Sequence, residues 1–504
     1  MKLVIPEIET YHFTRWVFLR LLGIIYLTAF VSLGIQITGL VGRQGILPAH
    51  EFLEAVSSVA GKTAHRVLPT IFWLNSSDAF LRCICIAGAG LSVLLIFGIL
   101  PALCCLALWF LYLSLFNVGQ DFLGFQWDIL LLETGFLAIF FAPLTFKGGD
   151  RFSPPSKIVL ALFWWLLFRL MFSSGYVKLA SGDETWRTLT ALNFHYETQP
   201  IPSPGSWFFH QLPGMFQKFS VVVMFIIELL APFSVFMPLK FRRTGCAILI
   251  FLQALIMITG NYGFFNILAI ALCLLLLDDV SWPNWVRQKI LPEERIVDPA
   301  PKRRWPVWVI LPLAAVLLFL SISQTGIRLT GKRISVPQNL VTLQRRLTPF
   351  YLTGTYGLFA VMTTSRPEII IEGSNDGENW QEYVFKYKAG PLDRRPPFAA
   401  PHMPRLDWQM WFAALGTYDR SPWFTKFLIR LLQGSADVIN LLEKNPFPDS
   451  PPKYVRALLY DYRFTNIEEK KTTGCWWKRK LVRPYHPAIS LQPVVSSSEI
   501  QAII

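Results

Sequence analysis

Leu192 to Pro213 reads LNFHYETQPIPSPGSWFFHQLP, and the fold turns on how this stretch is interpreted. It is the longest polar, proline-rich segment inside an otherwise apolar half of the chain. It carries two histidines, a carboxylate, several amides and several aromatic rings. Prolines at 200, 202, 204 and 213 forbid a continuous helix, which predicts a stiff, largely extended loop. Apolar runs of membrane-spanning length lie on both sides. A rigid polar connector between spans is where function is expected. Its candidate functional positions are Asn193, His195, Tyr196, Glu197, Gln199, Pro200 and His210, joined by Asn261 and Tyr262 from a second short connector.

Outward from this stretch, composition sets the class. Hydrophobic residues make up 53% of the chain and charged residues only 16%, with a mean hydropathy of +0.41. An ordinary soluble domain carries about 25% charged residues. The formal charge of +14 is gathered in short loops rather than in a patch suited to nucleic acid, so no nucleic-acid partner is expected. At roughly 20 apolar residues per helix, about nine spans are predicted: near 16–40, 79–99, 101–117, 126–146, 157–180, 219–238, 244–260, 263–277 and 306–325. The first run is too long for a signal-peptide core and reads as an uncleaved span. Between the first two, GRQGILPAHEFLEAVSSV places Phe52, Leu53 and Val56 at helical spacing, as in a helix lying on the membrane surface.

Basic loops predict orientation. Lys147, Arg151 and Lys157, then Lys240, Arg242 and Arg243, then Arg287, Lys289, Arg295, Lys302, Arg303 and Arg304 fall on one side of a nine-span chain. The positive-inside rule makes that side, and the N-terminus, cytoplasmic. Loop 181–218, Asn261-Tyr262 and everything after about 326 are then lumenal or periplasmic. Asn75-Ser76-Ser77 is a glycosylation acceptor on that side if the source is eukaryotic.

The expected organisation is an α-helical polytopic bundle over 1–328, a β-rich, sandwich-like extramembrane domain over 329–486, and a disordered tail over 487–504. EIIIEGSNDGENWQEYVFKYK (368–388) holds two β-rich runs around the turn at Asn375-Asp376-Gly377. Tyr356–Met362 is another strand candidate, with helices near 407–415 and 422–443 and a last strand near Val455–Phe464. Trp476, Trp477, Lys478, Arg479 and Lys480 read either as a membrane-surface contact or as a folded edge with solvated charges.

Ionisable residues inside spans are costly in lipid. Arg169 and Glu228 are predicted to pair at similar depth, and Asp128 and Glu133 are within reach of Lys178. These pairs act as packing glue between helices or line a polar cavity. His195, Glu197 and His210 fit no standard metal spacing, so neither a metal nor another cofactor is expected. His195 with Glu197 has the pKa range for acid–base work, but such residues more often brace a loop. No GxSxG, phosphate loop, HExxH or DxD cluster marks a catalytic set. Six cysteines lie in or near spans and only Cys475 in the exported portion, which excludes an internal disulfide there.

ALNFHYETQPIPSPGSWFFHQLP, GNYGFFNILAIALCLLLLDD, EGSNDGENWQEYVFKYKAG and RLDWQMWFAAL resemble the lipase maturation factor family, over nearly the whole chain. The resemblance implies a membrane protein of the endoplasmic reticulum, or of the plasma membrane if bacterial. It implies that lumenal loops and a C-terminal domain assist secreted lipases to fold and dimerise, with no catalysis of its own. Trp380, Trp408 and Trp411 are the expected client-facing positions, and membrane lipids and an exported client the expected partners. The lone exported cysteine and the QAII terminus give no support to an oxidative role or to a retrieval signal. The alternative is a membrane enzyme acting on a lipid or quinone-like substrate, in a cavity lined by His195, Glu197, Asp128 and Arg169.

Overall fold

The computed structural model describes residues 10–146, 154–290, 305–331 and 337–491. Lys147, Arg151, Arg295, Lys302, Arg303 and Arg304 lie outside the described residues, as does the expected tail beyond 491. Among the described residues, nine apolar helices follow the predicted runs: α1 His12–Gly34, α2 Asp78–Phe97, α3 Pro101–Val118, α4 Gln126–Phe141, α5 Lys157–Ala180, α6 Gly214–Leu230, α7 Leu239–Thr259, α8 Phe265–Leu274 and α9 Val307–Thr330. Seven of them are long and apolar enough to cross a membrane, α6 with a 3-10 extension to Phe236. The other two, α4 with 16 residues and α8 with 10, fall short of a bilayer core about 30 Å thick at about 1.5 Å per residue. Both are wrapped by protein, with most of their side chains buried. The chain is a multi-pass helical membrane protein with a β-rich C-terminal region.

Small residues let the helices approach, as packing in lipid requires. In the contact between α1 and α2, a Cβ at Gly88 would lie 2.4 Å from the Phe30 ring, whereas one at Gly90 would meet nothing within 4 Å. Gly88→Leu is therefore expected to force the pair apart at a cost of about 1–3 kcal/mol, read as a lower thermal midpoint in detergent. Gly90→Leu should leave the midpoint unchanged. At the far end of the bundle, the Asp279 carboxylate accepts from the backbone N–H groups of His12, Phe13 and Thr14 at 2.8, 2.9 and 3.1 Å. It caps the start of α1 from 266 residues away.

The Leu192–Pro213 stretch departs from the extended loop expected. It forms two short helices, Leu192–Thr198 and Pro204–His210, with an extended piece between them. Pro204 occupies the first helical turn, where a missing N–H costs nothing. Pro213 directly precedes α6. The prolines separate helices instead of stretching the whole segment.

In the C-terminal region β1 Arg366–Ser374, β2 Gln381–Glu382, β3 Val384–Phe385, β4 Leu442–Lys444, β5 Tyr454–Phe464 and β6 Trp477–Ile489 form two sheets. One is antiparallel in the order β2-β1-β5-β6, and the other pairs β3 with β4. The expected turn joins β1 to β2, with Gly377 at φ +82°. Helices α10 Arg405–Ala414 and α11 Pro422–Leu432 pack beside the sheets. Three expectations change. The helix expected over 422–443 stops at Leu432, before Gly434 at φ +65°, and β4 begins inside its far end. Tyr356–Met362 is irregular, because the Tyr356 hydroxyl is held by Glu133 at 2.6 Å and the Gly357 N–H by Gln126 at 3.1 Å. The basic WWKRK segment opens β6, so β5 is not the last strand and the tail expected from 487 begins inside one. Lys, Arg and two prolines conceal β6 in the sequence, and they are the residues an edge strand tolerates.

Candidate functional site

The connector and the C-terminal region meet in one continuous polar seam. Arg366, at the start of β1, is fully buried. Its guanidinium donates to the carbonyls of Glu197 (2.7 Å), Gln199 and Pro200 (2.9 Å) and to the Glu368 carboxylate at 2.6 Å. Proline-interrupted backbone has carbonyls without ladder partners, and an arginine fork satisfies several at once. Glu197 points toward β5: it accepts from Arg463 at 2.8 Å and from the Phe464 N–H at 3.0 Å, with His210 at 3.8 Å. Asn261, between α7 and α8, clamps two segments. Its amide donates to the carbonyls of Ile201, Pro202 and Pro397, and its oxygen accepts from the N–H groups of Ala399 and Ala400 at 2.8 and 3.0 Å. Asn193 is half-buried and donates its N–H to the Thr190 carbonyl at 3.0 Å.

Trp408 and Trp411 are buried, at 2% and 6% exposure, so they present no surface to a client. Trp411 donates to the Thr198 carbonyl at 2.8 Å, and Trp408 packs edge-on against Trp127 with ring centres 4.7 Å apart. Trp380 is half-exposed on the hairpin turn, with the Arg456 guanidinium 4.0 Å above its ring.

The intramembrane pairs differ from those expected. Arg169 bonds Glu133 and the Gly354 carbonyl, not Glu228. Lys178 takes Glu228 at 2.6 Å. Asp128 takes Arg405 of α10 at 2.7 Å. Glu228 packs against Gly175, nearer the connector than Arg169, because α6 begins beside the connector rather than level with the end of α5. Lys178 lies nine residues beyond Arg169, about 13 Å along the helix. Arg366, Arg405 and Arg463 escaped the sequence reading. Only Arg405 carried a signal, as the first residue of RLDWQMWFAAL.

A cleft of about 420 Å³ opens between α5, α6 and α7 beneath the connector, lined among others by Lys178, His195, Glu228 and Tyr262. Of the four residues expected in a catalytic cavity, only His195 lines it; Glu197 turns to β5, and Asp128 and Arg169 are sealed in their ion pairs. The His195 protonation state follows from its neighbours. The Gln199 amide donates to the carbonyls of Tyr196 and Thr259, so its oxygen accepts from the Tyr262 hydroxyl at 2.9 Å. The Tyr262 oxygen then accepts from His195 Nε2–H at 3.3 Å, leaving Nδ1 as the unprotonated nitrogen. Burial, reinforced by the Lys178 cation, lowers the His195 pKa to about 4. Burial does the same to His402 in the C-terminal region, again to about 4, with Arg405 and Lys386 adding to it. From an ordinary value of 6.5, the unfolded chain gains protons between pH 6.5 and 4 that the folded one refuses. Stability is therefore full above pH 6.5 and falls on acidification, by up to about 1.4 kcal/mol per pH unit for each histidine. His195→Gln is expected to flatten that slope in thermal scans from pH 7 to 4.5. Among the described residues no three His, Cys, Asp or Glu side chains gather as metal ligands, and all seven cysteines are free.

A bundle of spanning helices with a β-rich region locked onto one end by buried arginines defines a polytopic membrane scaffold. Residues 13–284 match the lipase maturation factor transmembrane domain, and residues 352–487 the lipase maturation factor C-terminal domain. The chain belongs to the lipase maturation factor family. Its relatives include lipase maturation factor 2 of Xenopus tropicalis, 38% identical over 93% of this chain and 81% of the relative. Human lipase maturation factor 2 is 36% identical over 95% and 82%, and lipase maturation factor 1 of Bos taurus 35% over 96% and 90%. No solved structure matches the chain.

Proposed function

We propose that the chain is a membrane-embedded maturation factor for exported lipases, a folding partner rather than an enzyme. The connector and the C-terminal region would form its client platform in the lumen of the endoplasmic reticulum. The observation that carries this reading is the Asn261 clamp within a chain of this family: one side chain joins the connector to residues 397–400. A client meeting either segment meets both as one rigid face. Trp380, half-exposed on the hairpin turn, is the aromatic candidate for client contact.

The test is rescue in cells that secrete a lipase but lack their own maturation factor. The wild-type chain should restore lipase activity per unit of secreted lipase, and Asn261→Ala should lose most of that rescue. Failure of the wild-type chain with every lipase tried, at normal expression, overturns the reading. For orientation, Gln381→Thr completes a glycan acceptor at exposed Asn379. A lumenal C-terminal region predicts an endoglycosidase-sensitive mass shift; an unshifted band from well-expressed protein refutes that side.

A further inference from the structure

The cleft between α6 and α7 lies beneath the connector, and its walls identify a ligand class. The two helices are consecutive and joined at one end by the short 231–238 segment. At the other end the connector's own helix Pro204–His210 packs against α7, so tightly that a Cβ at Gly205 would lie 2.3 Å from the Ile258 carbonyl. The opening is therefore lateral. Phe216 and Phe251 line it and are 44% and 55% exposed. On helices apolar enough to span a membrane, exposed aromatics face lipid, not water. At about 420 Å³ the cleft is within the range, roughly 300–1,000 Å³, of pockets that hold small ligands.

The back wall is apolar, with Leu170 and Leu252 among its residues, and suits an acyl chain. The charged groups in it, Lys178 and Glu228, are paired at 2.6 Å and buried. An anionic headgroup would draw Lys178 away and strand a buried carboxylate, which is costly. An uncharged head with hydroxyl and ester oxygens leaves that pair intact. We propose that this cleft binds an uncharged glyceride entering sideways from the bilayer, its acyl chain along α5 and α7 and its polar oxygens at the Lys178–Glu228 pair.

The test uses the purified full-length protein in phosphatidylcholine vesicles. The probe is a diacylglycerol with a diazirine on one acyl chain; the same chain on phosphatidylserine and on phosphatidylcholine serves for comparison. After irradiation, diacylglycerol label should concentrate on α6 and α7 around the cleft and be competed by unlabelled diacylglycerol. Leu255→Trp, which fills the cleft, should lower that label about tenfold without changing the thermal midpoint. If Leu255→Trp fails to fold, Ser220→Phe at the half-exposed mouth makes the same test. Label spread evenly over all lipid-facing helices, alike for the three probes, would mean bulk lipid only and overturn the proposal. So would phosphatidylserine labelling the cleft as strongly as diacylglycerol.

Discussion

Arg405→Met is expected to cost about 3–5 kcal/mol, the price of leaving a buried charge without its partner. Arg405 and Asp128 are both at most 1% exposed and form a two-pronged pair at 2.7 and 2.9 Å. Asp128 also accepts from the Tyr112 hydroxyl at 2.5 Å, and Arg405 donates to the Phe122 carbonyl at 2.8 Å. Burial alone would lower the Arg405 pKa, but the Asp128 carboxylate outweighs it and raises the value, so the guanidinium stays charged. Removing it leaves the Asp128 carboxyl without its cation inside the bundle, at the point where α10 is anchored. The measurement is thermal unfolding in detergent, followed by intrinsic fluorescence, with protease sensitivity of the C-terminal region as a second readout. Asp128→Asn combined with Arg405→Met removes both charges and should recover most of the loss. A single variant as stable as the wild type would show that the pair does not hold the two parts together.

Arg366→Ala should be nearly as damaging, and it acts on the connector. It orphans three backbone carbonyls at about 1–3 kcal/mol each before relaxation, and it takes from Glu368 one of two cations, leaving Lys388 at 2.9 Å. Arg366→Lys keeps the charge but cannot reproduce a fork aimed at several oxygens, so it should recover less than half of the stability. Both variants are expected to reduce lipase rescue, with Arg366→Ala the lower. Rescue at the wild-type level by Arg366→Ala, at equal expression, would separate the connector from function.

Much of this was legible in the chain. The nine apolar runs became nine helices because length and hydropathy are local properties. Asn375-Asp376-Gly377 gave its hairpin because only a residue free to take positive φ turns the strand there. The connector's place is legible but its conformation is not: prolines suggest an extended chain, whereas Pro204 sits where a helix begins and Pro213 just before one. β6 was hidden by its charges. The Arg169–Glu228 pairing fails because it needs the start of α6 to lie level with the end of α5, and no residue reports that offset.

By itself, then, the sequence determined the membrane class, the apolar helices and the hairpin turn, and the polar segments that had to be satisfied somewhere. Those depend on hydropathy, backbone freedom and missing N–H groups, which each residue carries with it. Only the tertiary structure decided the partners. Arg405 reaches Asp128 across 277 residues, and Arg366 reaches Pro200 across 166. The energy of a buried charge is set by the groups that surround it after folding, and its neighbours in the chain do not specify them.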